Sequence, residues 1–208
     1  MGNVRLYGST SGYTELAAPA VAPDGVLTLP AVAGTLATTA DIPAAGLIHI
    51  NTTTFSAVSS VSINSAFSSD YTNYALRIGD LVTAGGANLH FNYRASGVDN
   101  TDAYPRELFL TQNGTIVNSR NDVAAAGYLT SAATDSFTYA VDAEIHSPYL
   151  STPTTILSRS SGSDANGLMQ NSVCTRHGVA ASYDGITIYI ASGSMTGSVS
   201  IYGYSKGA

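Results

Sequence analysis

Short runs in which apolar and polar side chains alternate recur along the chain, and the clearest two lie on either side of Gly85-Gly86. Tyr74, Leu76 and Ile78 fall on one side of the first run. Leu89, Phe91 and Tyr93 fall on one side of the second, with Asn88, His90 and Asn92 opposite. Neither has helical spacing. A glycine-rich connection between two such runs predicts an antiparallel pair with one buried face. The same texture continues through Leu47–Ile50, the serine-spaced run from Phe55 to Ile63, Phe137–Ile145, Tyr149–Ser158 and Leu168–Ser182. Gln112-Asn113-Gly114 predicts a hairpin joining 107–111 to 115–118, because Asn-Gly readily adopts the positive-φ turn that matches strand twist. Phe67–Tyr71 reads as a turn or a single helical turn, and the alanine-rich stretch Asn121–Thr134 admits a short helix or a long surface loop. At the end, Tyr183-Asp184-Gly185 turns into Ile186–Ile190, and a glycine-rich link leads to Ser198–Tyr204, a predicted long terminal hairpin. About eight strands without intervening helices predict an all-β fold, a jelly-roll-like antiparallel β-sandwich, over residues 46–208.

Residues 1–45 differ. Short apolar pairs (Val4/Leu6, Tyr13/Leu16, Leu27/Leu29) and Leu36 are separated by turn residues such as Gly8-Ser9 and Pro23-Asp24-Gly25. Pieces this short cannot close a core alone, so they predict an extended, β-rich N-terminal arm that is buried against other chains. The candidate assembly and docking residues are Leu6, Tyr7, Tyr13, Leu16, Leu27, Leu29 and Leu36. Asp41–Gly46, with Pro43 and Gly46 as breakers, reads as the linker.

Charge and chemistry narrow the function classes. The chain has 8 Lys+Arg against 14 Asp+Glu, for a formal charge of −6, and its basic residues are scattered. Binding a phosphate backbone needs clustered cations, so no nucleic-acid partner is expected. Ser and Thr make up about a quarter of the residues, which suits a rigid, solvent-facing β-protein. No secretory leader and no membrane-length apolar run is read, so the expectation is a cytoplasmically made, disulfide-free chain without a membrane partner. Cys174 reads as a small buried hydrophobe in a strand, with His177 on the opposite strand face. Asp142 and Glu144 share one strand face, as solvated strand carboxylates commonly do. Asp99, Asn100 and Asp102 form a solvated turn with too few converging carboxylates for a calcium loop. His49, His90, His146 and His177 stand apart, without metal-ligand spacing, and no Gly-x-Ser-x-Gly elbow is present. No catalytic residue, cofactor or metal is expected.

Several phrases taken together carry a resemblance. They are GSTSGYTELAAPAVAPDGVLTLPAVAGTL, FSSDYTNYALRI, NLHFNYRASG and YDGITIYIASGSMTGSVSIYGYSK. The chain resembles small virion structural proteins of tailed bacteriophages, including those of marine and cyanobacterial phages. The resemblance implies a place on the surface of a phage particle, after synthesis in the host cytoplasm, and homotrimeric assembly. It leaves the station open among capsid decoration (cement), head-fibre and tail-fibre types. An arm followed by one domain is complete for a decoration protein, so the expectation is a cement protein whose arm docks on the major capsid protein. The alternative it leaves is a tail-fibre or receptor-binding module that joins tail proteins or contacts host surface glycans.

Overall fold

The computed structural model describes residues 4–7, 10–16, 46–85, 88–122, 124–131, 138–164 and 167–206. Among them every regular element is a strand, and every strand pairing is antiparallel. The chain divides into two units, Met1–Ile42 and Pro43–Ala208. In the first, β1 (Val4–Tyr7) pairs with β2 (Tyr13–Leu16), in a register that sets Val4 opposite Leu16 and Tyr7 opposite Tyr13.

The second unit runs in chain order through β3 (Leu47–Val58), β4 (Ser60–Ile63), β5 (Asn73–Ala84), β6 (Leu89–Ala95) and β7 (Val98–Asp99). It continues with β8 (Arg106–Gln112), β9 (Thr115–Asn121), β10 (Gly127–Thr130), β11 (Tyr139–His146) and β12 (Thr152–Asp164). β13 (Gly167–Ala181), β14 (Gly185–Ile190) and β15 (Ser194–Tyr204) complete it. A large sheet has the order β3-β15-β5-β11-β12-β13-β8-β9. A small one has the order β10-β6-β14-β4, with β7 paired to β6.

Period-two alternation decides which side chains leave water. Tyr74, Leu76 and Ile78 of β5, with Val199 and Ile201 of β15, are buried from the large sheet. Leu89, Phe91 and Tyr93 of β6, with Ile186, Ile188 and Ile190 of β14, are buried from the small one. All belong to one hydrophobic core. Each fully buried Leu, Ile or Phe side chain contributes about 1.5–3 kcal/mol, so these strands dominate the stability of the unit.

Two expected pairings are corrected. β5 does not pair with β6; it lies between β15 and β11 in the large sheet, while β6 lies between β10 and β14 in the small one. The terminal run is likewise no hairpin, because β14 and β15 belong to different sheets. In both cases the glycine-containing link crosses from sheet to sheet. Two runs that each bury one face satisfy the same pattern as partners in one sheet or as opposite walls of one core. The stretch expected as helix or surface loop contains β10, whose four residues are all buried. Gly127 makes that possible: a Cβ there would lie 2.1 Å from the Phe91 ring. Cys174 is exposed rather than buried, because Val173 and Thr175 take the inward positions beside it. His177 does fall on the opposite face from Cys174 and is buried. The Asn-Gly hairpin forms as expected, with φ of 45° at Asn113 and 78° at Gly114 joining β8 to β9.

Candidate functional site

Three regions of the described residues have the chemistry to engage a partner: the first unit, the far end of the large sheet and the outer face of the small sheet. In the first unit, Leu6 and Tyr7 lie on β1 and Tyr13 and Leu16 on β2. Strand pairing brings Tyr7 opposite Tyr13, and Tyr7 is 74% exposed. Leu27, Leu29 and Leu36 lie outside the described residues.

The far end of the large sheet is the β8–β9 hairpin with the adjoining start of β13. Phe109 stands opposite Asn118 and Ser172, and Thr111 opposite Ile116 and Gln170. Directly paired residues share a sheet face, so Phe109, Ile116 and, two residues before Gln170, Leu168 all lie on the outer face. They are 49%, 61% and 81% exposed. Val117, opposite the buried Leu110, lies on the inner face but stays exposed, because β9 is the last strand and overhangs the core. A trough of about 940 Å³ opens beside Leu168, with Thr111, Ser161 and Gln170 on its floor. Among the described residues β9 is the last strand of the large sheet. Sequence reading found this hairpin but not its apolar exposure; the signal was present in Ile116-Val117, two β-branched residues in succession that alternation would bury only once.

On the small sheet the outward rows are polar and aromatic. Thr187 pairs with Ser62 on one side and Asn92 on the other, and Tyr189 with Ser60 and His90 in the same way. Arg94 Nη1 donates to Asp99 Oδ1 at 2.5 Å, to Thr187 Oγ1 at 2.6 Å and to Ser62 Oγ at 3.0 Å. Thr187 in turn donates to Asp99 Oδ1 at 2.7 Å. The Asp99 turn is therefore tied into a charge-balanced network. His90 stacks on Tyr189 with ring centroids 5.5 Å apart and meets Tyr128 edge-on at 5.3 Å, while Arg106 caps the Tyr128 ring at 4.6 Å. Burial, then the Arg106 charge, lowers the His90 pKa, so the ring is neutral at pH 7.

Other titratable groups have structural partners. Asp142 pairs with Arg77 at 3.2 Å, and Glu144 accepts from the Tyr204 hydroxyl at 2.7 Å on each oxygen. His177 is buried in an aromatic cluster, stacked on Tyr104 at 4.3 Å with its Nε2 2.5 Å from the Tyr183 hydroxyl. Burial lowers its pKa and outweighs the nearby Ala103 and Asp102 carbonyls, while burial raises those of Tyr104 and Tyr183. Among the described residues no three His, Cys, Asp or Glu side chains gather in a way that could hold a metal ion.

No protein-family model matches this chain, and neither a curated protein nor a solved structure does.

Proposed function

We propose that the chain is a structural virion protein, a homotrimeric capsid decoration protein that docks on the phage major capsid protein through its N-terminal arm and stabilises the shell. The observation that carries this reading is the exposed apolar end of the large sheet: Phe109, Ile116, Val117 and Leu168 lie on and beside the strand that ends the sheet among the described residues. Apolar groups so placed, at the last strand of a sheet, favour a protein partner. Sister copies are the occupants that a homotrimer provides.

Two further points support it. The phrases that carry the resemblance to phage virion proteins are drawn from both the N-terminal segment and the C-terminal strands. The strand order also suits a jelly roll, an architecture shared by capsid and lectin domains. β3, β4, β5, β6, β10, β11, β14 and β15 divide into the paths β3-β15-β5-β11 and β4-β14-β6-β10. Two nested Greek keys produce that order. β12, β13, β8 and β9 are then an extension of one sheet.

The mechanism follows from symmetry and mass action. Three identical arms match a three-fold point of an icosahedral shell, and three linked weak contacts gain avidity through effective concentration. A trimer that binds the assembled lattice but not free capsid subunits stabilises the lattice. With few charges between residues 1 and 45, attachment is mostly apolar and resists salt. The test is a particle map combined with a stripping series. Density at head three-folds that survives about 1 M salt is the expected result. Density confined to the tail tip, or release at moderate salt, overturns the reading.

A further inference from the structure

We infer that Asn113 is a site of spontaneous deamidation, a covalent change in the turn that sets the register of the exposed β8–β9 hairpin. This does not depend on where the chain sits on a particle.

The reaction is intramolecular and needs only water. The Gly114 backbone nitrogen, once hydroxide has taken its proton, attacks Cγ of the Asn113 side chain. A C–N bond forms and closes a five-membered succinimide. The side-chain nitrogen takes up a proton from water, which restores the hydroxide, and leaves as ammonia. Water then opens the ring at either carbonyl. One opening gives aspartate; the other gives isoaspartate, in which the main chain runs through the former side chain. A Cβ on the following residue hinders the attack, and glycine has none. The sequence holds two Asn-Gly pairs, and Asn166 of the second lies outside the described residues.

Exposure and a weakly held strand make the first pair reactive in the folded chain. Asn113 and Gly114 are both exposed, with φ of 45° and 78°. Ring closure turns the peptide between them away from its hairpin conformation, so the turn must open first. Opening costs little. Among the described residues β9 pairs only with β8, and six of its seven residues are exposed. Segments that bury so few side chains open at the low end of the free-energy scale. One bond resists, from the Asn113 N–H to the Leu168 carbonyl at 3.1 Å. It anchors residue 113 on its N-terminal side, not the peptide that must rotate.

The product reaches beyond the turn. Isoaspartate inserts an extra main-chain carbon between two turn residues, which no longer fits the pairing of Gln112 with Thr115. Ile116, opposite Thr111, and Val117, opposite Leu110, then lose their fixed places, and the hairpin tip gains a negative charge. The exposed apolar end of the large sheet is thereby remodelled without any enzyme.

The test is peptide mapping of the full chain after incubation in mildly alkaline buffer at physiological temperature, beside the same chain held unfolded in denaturant. Aspartate and isoaspartate should form at position 113 of the folded chain at a rate within about a hundredfold of the unfolded one. Amides of Thr115–Asn121 should exchange about tenfold or more faster in the aged chain than in fresh protein. Asn113→Gly takes the same φ freely and has no amide to lose, so its exchange there should not change on incubation. A folded rate more than about a hundredfold below the unfolded one overturns the inference. So do isoaspartate-bearing chains whose β9 amides exchange as in fresh protein, or an Asn113→Gly variant that loosens equally on incubation.

Discussion

The two halves of the second unit bury different mixtures of side chains. Around Leu76, Phe91, Ile188 and Ile201 the interior is apolar and aromatic, closed by both sheets. Under the extension formed by β12, β13, β8 and β9 it is partly polar. Thr130 shares a hydrogen bond with Ser160 at 2.6 Å, Asn171 donates to both at 3.0 Å, and Ser158 donates to the Leu129 carbonyl at 2.6 Å. The outer surfaces differ too: the extension leaves Phe109, Ile116 and Leu168 in water, while Arg77 and Asp142 of β5 and β11 meet across the outer face as an ion pair. The extension buries Leu110, Ile156, Met169 and Val173 beside these hydroxyls, and its exposed apolar groups add a gain that only association can realise. The core strands hold the unit together, and the extension presents a surface.

The largest expected effect breaks the core half. Phe91→Ala removes a ring that touches Tyr93 and Tyr104 and roofs Gly127, and should destabilise the unit by about 3–5 kcal/mol. Chemical denaturation would show it as a lower midpoint with an unchanged slope. Asn171→Ala tests the extension's interior, where it strips a donor from two buried hydroxyls; about 1–3 kcal/mol should be lost. An Asn171→Ala variant as stable as the parent would mean that the polar network contributes no stability.

Acid should act at the join between the halves. His177 lies on β13 but packs among Tyr104, Tyr93 and Tyr183 of the core. Its folded pKa lies below the ordinary 6.5, so at acid pH the unfolded chain binds more protons than the folded one. Stability contributed by the neutral ring is complete above about pH 6.5 and declines as pH falls from there through the folded value. His90 adds in the same direction. Melting curves against pH should slope downward below about 6.5, and His177→Gln should flatten that slope.

The smallest effect on the folded chain is the most telling for the comparison. Phe109→Ser with Ile116→Ser should change thermal stability of the isolated subunit by no more than about 0.5 kcal/mol, since both side chains are exposed. The same double change should shift sedimentation from trimer toward 21.3 kDa monomer. A parent that sediments as monomer at micromolar concentration, or a double variant that still forms trimers, would remove the extension from the assembly.

By itself, the sequence determined which side chains leave water in the most strongly alternating strands, though not at Cys174, Val117 or β10, because period-two alternation records burial residue by residue. Leu76, Ile78, Leu89, Phe91, Tyr93, Ile188 and Ile201 are all buried where alternation places them. It also determined the β8–β9 turn, since Asn113-Gly114 encodes its own backbone conformation. Tertiary structure alone decided what each buried face meets. β5 and β6 turn their apolar sides toward one core from opposite sheets, and β14 and β15 repeat the arrangement. Tertiary structure also joined Ser62 of β4 and Thr187 of β14 to the Arg94–Asp99 pair of β6 and β7, and left Phe109, Ile116 and Leu168 uncovered. The reason is physical: alternation is a local property of one strand, whereas pairing and exposure depend on registers between strands that lie tens of residues apart.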